Sequence, residues 1–384
     1  MRNKIKIAVN ARFLVKDKLE GIGTYSHEVL SRLVKLLPEV EFHFLFDRAY
    51  SEEFIYAKNV IPHKIGFPAR HPFLWYLWFE FSIPKWFKKN KVDLFISPDS
   101  FLSLKSKVDT LLVMHDLAFE HFPQHNNFLV SAYYKYFFPR YANHAKKIIS
   151  VSKFTKLDIT KQYNISDKKI KLAYCGVSDV YKPISALEKG IIKKKLSDKK
   201  NYFICIGSLN PRKNIISAVK AFNLFKKETK SETKLVIVGA KAWKSKNLFK
   251  EIEKSNYKKD IIRTGHLKPK DLTKYLAASE ALIFPSLFEG FGIPILEAFK
   301  CKIPVITSNV SSTKEIGEGI AYLVSPLNIH EIKDKMLKIQ LNEERAIEHD
   351  FKLKQKLFIY NWDNTAIVFK EIIEKILSWK PLWY

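Results

Sequence analysis

Glycine is scarce in this chain, with 12 in 384 residues, and there are three cysteines. With so few glycines, the places where backbone can close tightly on a ligand are few, so each one is worth locating. Cys175, Cys205 and Cys301 stand far apart, make no CxxC pair or metal-ligand spacing, and are odd in number. They exclude a disulfide framework and are expected as reduced core thiols. No run reaches the ~20 apolar residues needed to span a bilayer. The opening MRNKIKIAVNARF alternates charged and apolar groups and lacks the apolar stretch of a signal peptide. A cytoplasmic protein is expected.

Acidic residues are also in deficit: 66 Lys+Arg against 39 Asp+Glu gives a net charge of +27. That excess suits an anionic partner and does not choose among a nucleic acid, an anionic membrane and a phosphorylated ligand. Hydrophobic residues at 47% and charged residues at 27% are ordinary globular usage, which excludes a disordered chain. The length suits two domains. The nearest approach to a membrane segment is Pro72 to Phe87, interrupted by Glu80, Pro84 and Lys85. Two readings of it stand. One is a buried helix and turn. The other is an aromatic, basic-flanked surface on a membrane, with Trp75, Trp78, Trp86, Lys85, Lys88 and Lys89 facing headgroups.

Short runs rich in Val, Ile and Phe alternate with segments of helical periodicity. The runs are Lys4–Val9, Phe42–Phe46, Asp93–Ser97, Thr110–Met114, Lys147–Val151 and Ile170–Tyr174, then Tyr202–Ile206, Lys234–Val238, Ala281–Phe284 and Val305–Thr307. Continuous apolar strands between helices predict parallel sheets covered on both faces, the doubly wound α/β class. A boundary is expected near Tyr181-Lys182-Pro183, giving domains at 1–182 and 183–360. An amphipathic helix closes the chain from Trp362 to Trp379.

Three loops stand where a strand meets a helix. Gly21-Ile22-Gly23 follows the first strand, although His27 and Ser26 interrupt a GxGxxG pattern. Gly207 to Asn214 follows Tyr202–Ile206. Asn214 is placed to cap the next helix, and Arg212 and Lys213 stand where two cations would neutralise a diphosphate. Phe284 to Ala298 contains Glu289 in the loop and Glu297 near the start of a helix, with Pro294 at a first-turn position. Two acids alone do not identify a sugar-cleaving pair, because their separation in space is not given by spacing.

PSLFEGFGIPILEAF resembles the E-x7-E signature of the retaining family-four glycosyltransferases of the GT-B class, and GSLNPRKN resembles their diphosphate loop. The resemblance continues through Gly21-Ile22-Gly23-Thr24-Tyr25, Met114-His115-Asp116, Ser150 to Lys156 and Ser308 to Pro326. It implies two Rossmann-like domains facing across a cleft, the first on the acceptor side and the second on the donor side. Residues 361–384 would pack back onto the first, with Trp362 matching the tryptophan at the crossover. It implies a nucleotide-sugar donor, GDP- or UDP-linked, and a glycan or lipid-linked acceptor, with no cofactor, no metal and no nucleic acid. Arg212 and Lys213 match the diphosphate cations, and Glu297 the carboxylate that takes the ribose. Glu289 matches the residue that contacts hexose hydroxyls, with the Phe291 and Gly292 amides beside it. Gly23 matches the loop that approaches the phosphates, and His115 the histidine that reaches the donor sugar, with Asp116 beside it. Departures at Cys301-Lys302-Ile303-Pro304 and Lys314 touch packing and leave these groups alone.

The opening Val9-Asn10-Ala11-Arg12 followed by GIGTY is most similar to mannosyltransferase-type members using GDP-mannose. UDP-linked hexoses stay open as donors, as does peripheral contact with the inner face of a membrane. Two other readings also stay open. One is a non-catalytic membrane- or nucleic-acid-binding protein on the same scaffold. The other is a GT-B enzyme that releases or epimerises sugar nucleotides.

Overall fold

The computed structural model describes residues 4–378 apart from Glu20, Trp243 and 342–347; Trp379, the expected end of the closing helix, lies outside the described residues. The chain forms two compact units, one running to Cys175 and resuming at Asn361, the other spanning Gly176–Tyr360.

In the first unit the described strands are β1 (Lys6–Asn10), β2 (Glu41–Phe46), β3 (Val60–Lys64), β4 (Leu94–Ser97), β5 (Thr110–Met114), β6 (Lys147–Ser150) and β7 (Ile170–Leu172). They form one parallel sheet in the order β3-β2-β1-β4-β5-β6-β7. The inner strands are buried along their length, β4 and β5 entirely, because helices cover both faces. The order reverses between β1 and β4, where the connections diverge to opposite faces and open a crevice at the strands' carboxyl ends.

In the Pro72–Phe87 segment Trp78 is buried and Trp75 and Trp86 are half-buried against the core, so the reading that set Trp78 against headgroups is corrected and the buried helix and turn is what the segment forms. Trp78 is fully buried and its indole N–H donates to the Ile65 carbonyl at 2.9 Å; Trp75 donates to Ala69 at 3.0 Å. Trp86 packs against His43 and His63. A buried indole N–H needs an acceptor, and these backbone carbonyls supply two. Lys85, Lys88 and Lys89 stay exposed, as do Phe73 and Phe81 among the segment's aromatics. Among the described residues no helix is long and apolar enough to cross a membrane.

The closing helix, Trp362–Ile376, lies on the Ile22–Leu36 helix of the same unit. Arg32 Nε meets Asp363 Oδ1 at 2.6 Å, and Tyr25 packs its ring edge-on to Trp362. The Thr365 hydroxyl donates to the Tyr174 carbonyl, fastening the helix beside the end of the unit's first segment.

In the second unit the described strands are β8 (Tyr202–Ile206), β9 (Lys234–Val238), β10 (Ile261–Gly265), β11 (Ala281–Phe284), β12 (Val305–Ser308) and β13 (Tyr322–Val324). They form a parallel sheet in the order β10-β9-β8-β11-β12-β13, reversing between β8 and β11. All three cysteines are free and buried. Burial pushes the Cys205 and Cys301 thiols up to about 12, so neither is a reactive thiolate at neutral pH.

Candidate active site

The loops after β8 and β11 flank the reversal point of the second sheet, and the sequence-expected cations and acid meet there. The Asn210 side chain accepts the Lys213 amide at 3.3 Å and closes a tight turn over Pro211–Lys213. That turn directs both basic side chains toward the second loop. Arg212 Nη1 lies 3.0 Å from Glu289 Oε2 and 2.6 Å from the Phe288 carbonyl; Lys213 Nζ lies 2.8 Å from Glu289 Oε1. Each carboxylate oxygen therefore holds one cation. Glu289 is 6% exposed. Burial by itself would raise its pKa, but Arg212 and Lys213 outweigh burial and hold the carboxyl at about 2. It is ionised at any working pH.

Lys213 reaches Glu289 across Gly207 and in front of the Phe284 ring, 4.7 Å from its centroid. A Cβ at position 207 would sit 3.1 Å from Lys213 Cε, and the backbone there has φ +137°. The positive φ favours glycine, and an added methyl would press on the Lys213 side chain.

Asn214 does not cap the following Ile215–Thr229 helix as expected. It adopts φ 51°, and its side-chain amide donates to the Pro285 and Pro326 carbonyls at 3.0 and 2.6 Å. Those buried carbonyls need donors, and the left-handed backbone turns the side chain to them. The helix N-terminus beside Arg212 and Lys213 is left without a side-chain cap, so its dipole adds to the positive field of the loop.

The acidic loop is shaped by two residues that sequence reasoning did not single out. Ser311 Oγ accepts the Glu289 amide at 3.1 Å, and Ser312 Oγ lies 2.8 and 2.7 Å from the Glu289 and Phe291 carbonyls. Phe291 is buried edge-on to Tyr360, and Gly292 starts the Ile293–Lys300 helix. Glu297 falls in the second turn of that helix. Burial pushes its carboxyl up to about 7, although a hydrogen bond from the Tyr181 hydroxyl works the other way. Two glutamates on one short segment are thus tuned apart, one fixed as an anion and one titrating near neutrality.

In the first unit His115 follows β5. Its Nε2 donates to the Pro98 carbonyl at 2.7 Å, and its ring lies edge-on to Tyr25 at 4.9 Å. Burial lowers its pKa, which leaves a neutral imidazole with the Nδ1 lone pair unprotonated. Asp116 accepts the Ala118 amide at 2.9 Å and shapes the following turn. Gly23 is the second residue of the Ile22–Leu36 helix, where a Cβ would stand 2.8 Å from the Phe13 carbonyl. Its smallness is spent on the unit's own 13–19 loop.

At this sheet's reversal point Arg12, after β1, pairs with Asp99, after β4, at 2.5 Å. Ser97 Oγ and the Phe101 amide also donate to Asp99, at 3.2 and 3.3 Å, and the Arg12 guanidinium sits 4.3 Å from the Phe101 ring centroid. Asp99 carried no signal in the sequence, because its partner lies 87 positions away.

Two family models match: Glycosyltransferase Family 4 over residues 19–180 and Glycosyl transferases group 1 over residues 188–356. The O-antigen chain mannosyltransferase B of Escherichia coli is 25% identical over 334 residues, covering 84% of this chain and 88% of that one. The O-antigen chain mannosyltransferase RfbU of Salmonella typhimurium is 25% identical, covering 72% and 74%. Among solved structures, HepE of Anabaena in complex with UDP and glucose superposes with a TM-score of 0.73 at 16% identity, over 97% and 99% of the two chains. The sucrose-phosphate synthase of Thermosynechococcus elongatus gives 0.78 at 14% identity, also over 97% and 99%. With one model on each unit and the second unit's cations and glutamate assembled on its reversal point, this chain belongs to the group 1, family-four glycosyltransferases and has the GT-B fold of two Rossmann-like domains.

Proposed function

We propose that the chain is a retaining hexosyltransferase that moves mannose from GDP-mannose to a glycan or lipid-linked acceptor of a surface polysaccharide or glycolipid. The observation that carries this reading is the convergence of Arg212 and Lys213 on the ionised Glu289 at the second unit's reversal point. A nucleoside diphosphate leaving group gathers negative charge as the bond from sugar C1 to phosphate oxygen breaks. Two preorganised cations stabilise that charge. Glu289 keeps both cations in place and offers acceptor oxygens to hexose hydroxyls. The acceptor oxygen bonds to C1 on the face that the phosphate leaves, and the leaving phosphate oxygen takes its proton. The O-antigen mannosyltransferase relatives favour mannose as the sugar.

Incubation with GDP-mannose, UDP-glucose, UDP-galactose and UDP-N-acetylglucosamine, read by saturation-transfer NMR and by the product's anomeric signal, tests it. Binding and turnover of GDP-mannose with retained configuration is expected. No binding by any donor at millimolar concentration would overturn the reading. Hydrolysis without acceptor would point instead to an enzyme that releases sugar.

Two further outcomes follow. The Glu297 carboxyl accepts from ribose hydroxyls best when ionised, so nucleoside diphosphate affinity is expected to rise as pH climbs through about 7. Glu297→Gln should flatten that rise in calorimetric titrations one pH unit below and above it. The same raised pKa favours the folded protein at acid pH, an advantage lost between the unfolded value of 4.5 and about 7. Gly207→Ala is expected to weaken nucleoside diphosphate binding ~10-fold, since the new Cβ pushes on Lys213 and strains a positive φ.

The proposal includes peripheral contact with an anionic membrane. Phe81 is 50% exposed with Lys105 Nζ 3.8 Å from its ring centroid, and Phe73, Lys85, Lys88 and Lys89 are exposed on the same stretch. Interfacial aromatics flanked by lysines suit a headgroup layer. Sedimentation with phosphatidylglycerol vesicles that weakens as salt rises, and that Phe81→Ser reduces, is expected. Equal sedimentation with phosphatidylcholine vesicles would count against it.

A further inference from the structure

The loops that follow β1, β2 and β3 bring three arginines, Arg12, Arg48 and Arg70, to the carboxyl edge of the first sheet. Two carboxylates stand among them, and both are fully engaged. Asp47 takes Arg48 as a fork, Nε to Oδ1 at 2.7 Å and Nη2 to Oδ2 at 2.8 Å, and its Oδ2 also accepts the Ala69 amide at 2.9 Å. Asp99 is occupied by Arg12, Ser97 and Phe101 as described above. The third guanidinium, Arg70, has no carboxylate partner among the described residues. It stands next in the chain to Ala69, on the rim of the Asp47 fork. Its guanidinium carbon is 6.0 Å from the Phe13 ring centroid, and that of Arg12 is 5.0 Å from the same ring.

An unpartnered cation held near two others is unfavourable unless an anion joins them. Consistent with that, burial and the neighbouring Arg48 and Arg12 charges lower the Arg70 pKa, although the Asp47 carboxylate works the other way. Arg70 is nevertheless exposed, so an incoming group can reach it. The Nη1 end of Arg48 lies outside its fork with Asp47. Planar guanidinium donors match phosphate oxygens two at a time, and open α/β sheets take their ligands outside the carboxyl ends of their strands.

We infer that Arg70 and Arg48 form an anion site in the first unit that takes a phosphate or diphosphate group carried by the acceptor. The inference rests on the sugar-transfer reading only in naming the acceptor as the carrier; the site itself does not depend on it.

The test uses the full chain with its donor loops first saturated with GDP, then titrated with inorganic pyrophosphate and with farnesyl diphosphate. Arg70→Gln is expected to weaken both probes by ~10-fold or more while GDP affinity stays unchanged, and Arg70→Lys to fall between. In the transfer assay the same variant should raise KM for a phosphate-bearing acceptor and leave KM for the donor alone. Tighter parent binding of farnesyl diphosphate than of pyrophosphate, lost in Arg70→Gln, marks a lipid-borne phosphate. Equal binding marks a phosphate read without its lipid. Parent-like pyrophosphate binding by Arg70→Gln, or an equal loss in Lys88→Gln, overturns the site. If GDP itself fails to bind, the proposed function falls, and pyrophosphate titration without GDP still decides the role of Arg70.

Discussion

Replacing Lys213 with alanine is expected to lower kcat/KM for the nucleotide sugar by ~10²–10³-fold, the size of effect seen when one preorganised charge-stabilising donor is removed. Two losses combine. The ammonium no longer meets charge developing on the leaving phosphate, and Glu289 keeps only Arg212 as a partner, so its carboxyl rises from about 2. Lys213→Arg should rescue poorly, because a planar guanidinium does not replace a compact ammonium placed beside Gly207 and the Phe284 ring. Steady-state kinetics and nucleoside diphosphate titration on the folded variant check this. Transfer at the parent rate would remove Lys213 from the site.

Asp99→Ala is expected to destabilise the first unit by ~3–5 kcal/mol, the cost of leaving one member of a buried ion pair without the other. The side chains of Arg12 and Asp99 are 4% and 1% exposed. Removing the carboxylate strands a guanidinium that water cannot reach, packed among Phe13, Phe79 and Phe101. Replacing both partners with apolar residues, as in Arg12→Met with Asp99→Leu, should recover much of the loss. Urea unfolding followed by tryptophan fluorescence suits the measurement, since Trp75, Trp78, Trp86 and Trp362 all lie in this unit. An unchanged midpoint for the single variant would show that the pair contributes little.

Both predictions turn on contacts that differ in how readable they were. The central strands β5, β8, β9 and β11 occupy the ranges their apolar runs predict, because strands buried on both faces leave a continuous apolar signature. β3, β10 and β13 escaped notice, and all three lie at sheet edges. β3 carries Pro62 and His63, β10 ends in Arg263, Thr264 and Gly265, and β13 spans only Tyr322–Val324. Their partial exposure admits polar residues and erases the pattern. Arg212, Lys213 and Glu289 were legible because each sits in a loop with its own strand-to-helix context. Asp99, Tyr181, Ser311, Ser312 and Arg70 were not, because their meaning comes from partners far off in the chain. The tryptophans of Pro72–Phe87 show the same limit from the other side: composition leaves a buried and an interfacial reading open, and the Ile65 and Ala69 carbonyls show what holds Trp78 and Trp75 inward.

The return of the chain from Tyr360 to the first unit has a consequence for synthesis. On a ribosome, the residues up to Cys175 emerge early, yet they cannot cover Tyr25 with Trp362 or form the Arg32–Asp363 pair until the Trp362–Ile376 helix arrives. The Gly176–Tyr360 unit is one continuous segment, fully synthesised before Trp362 is added. The second unit is therefore expected to finish folding first, reversing the usual N-terminal-first order. In the meantime the early segment would carry Tyr25 without the Trp362 and Phe369 rings that cover it, an apolar spot that nascent-chain holdases can grip.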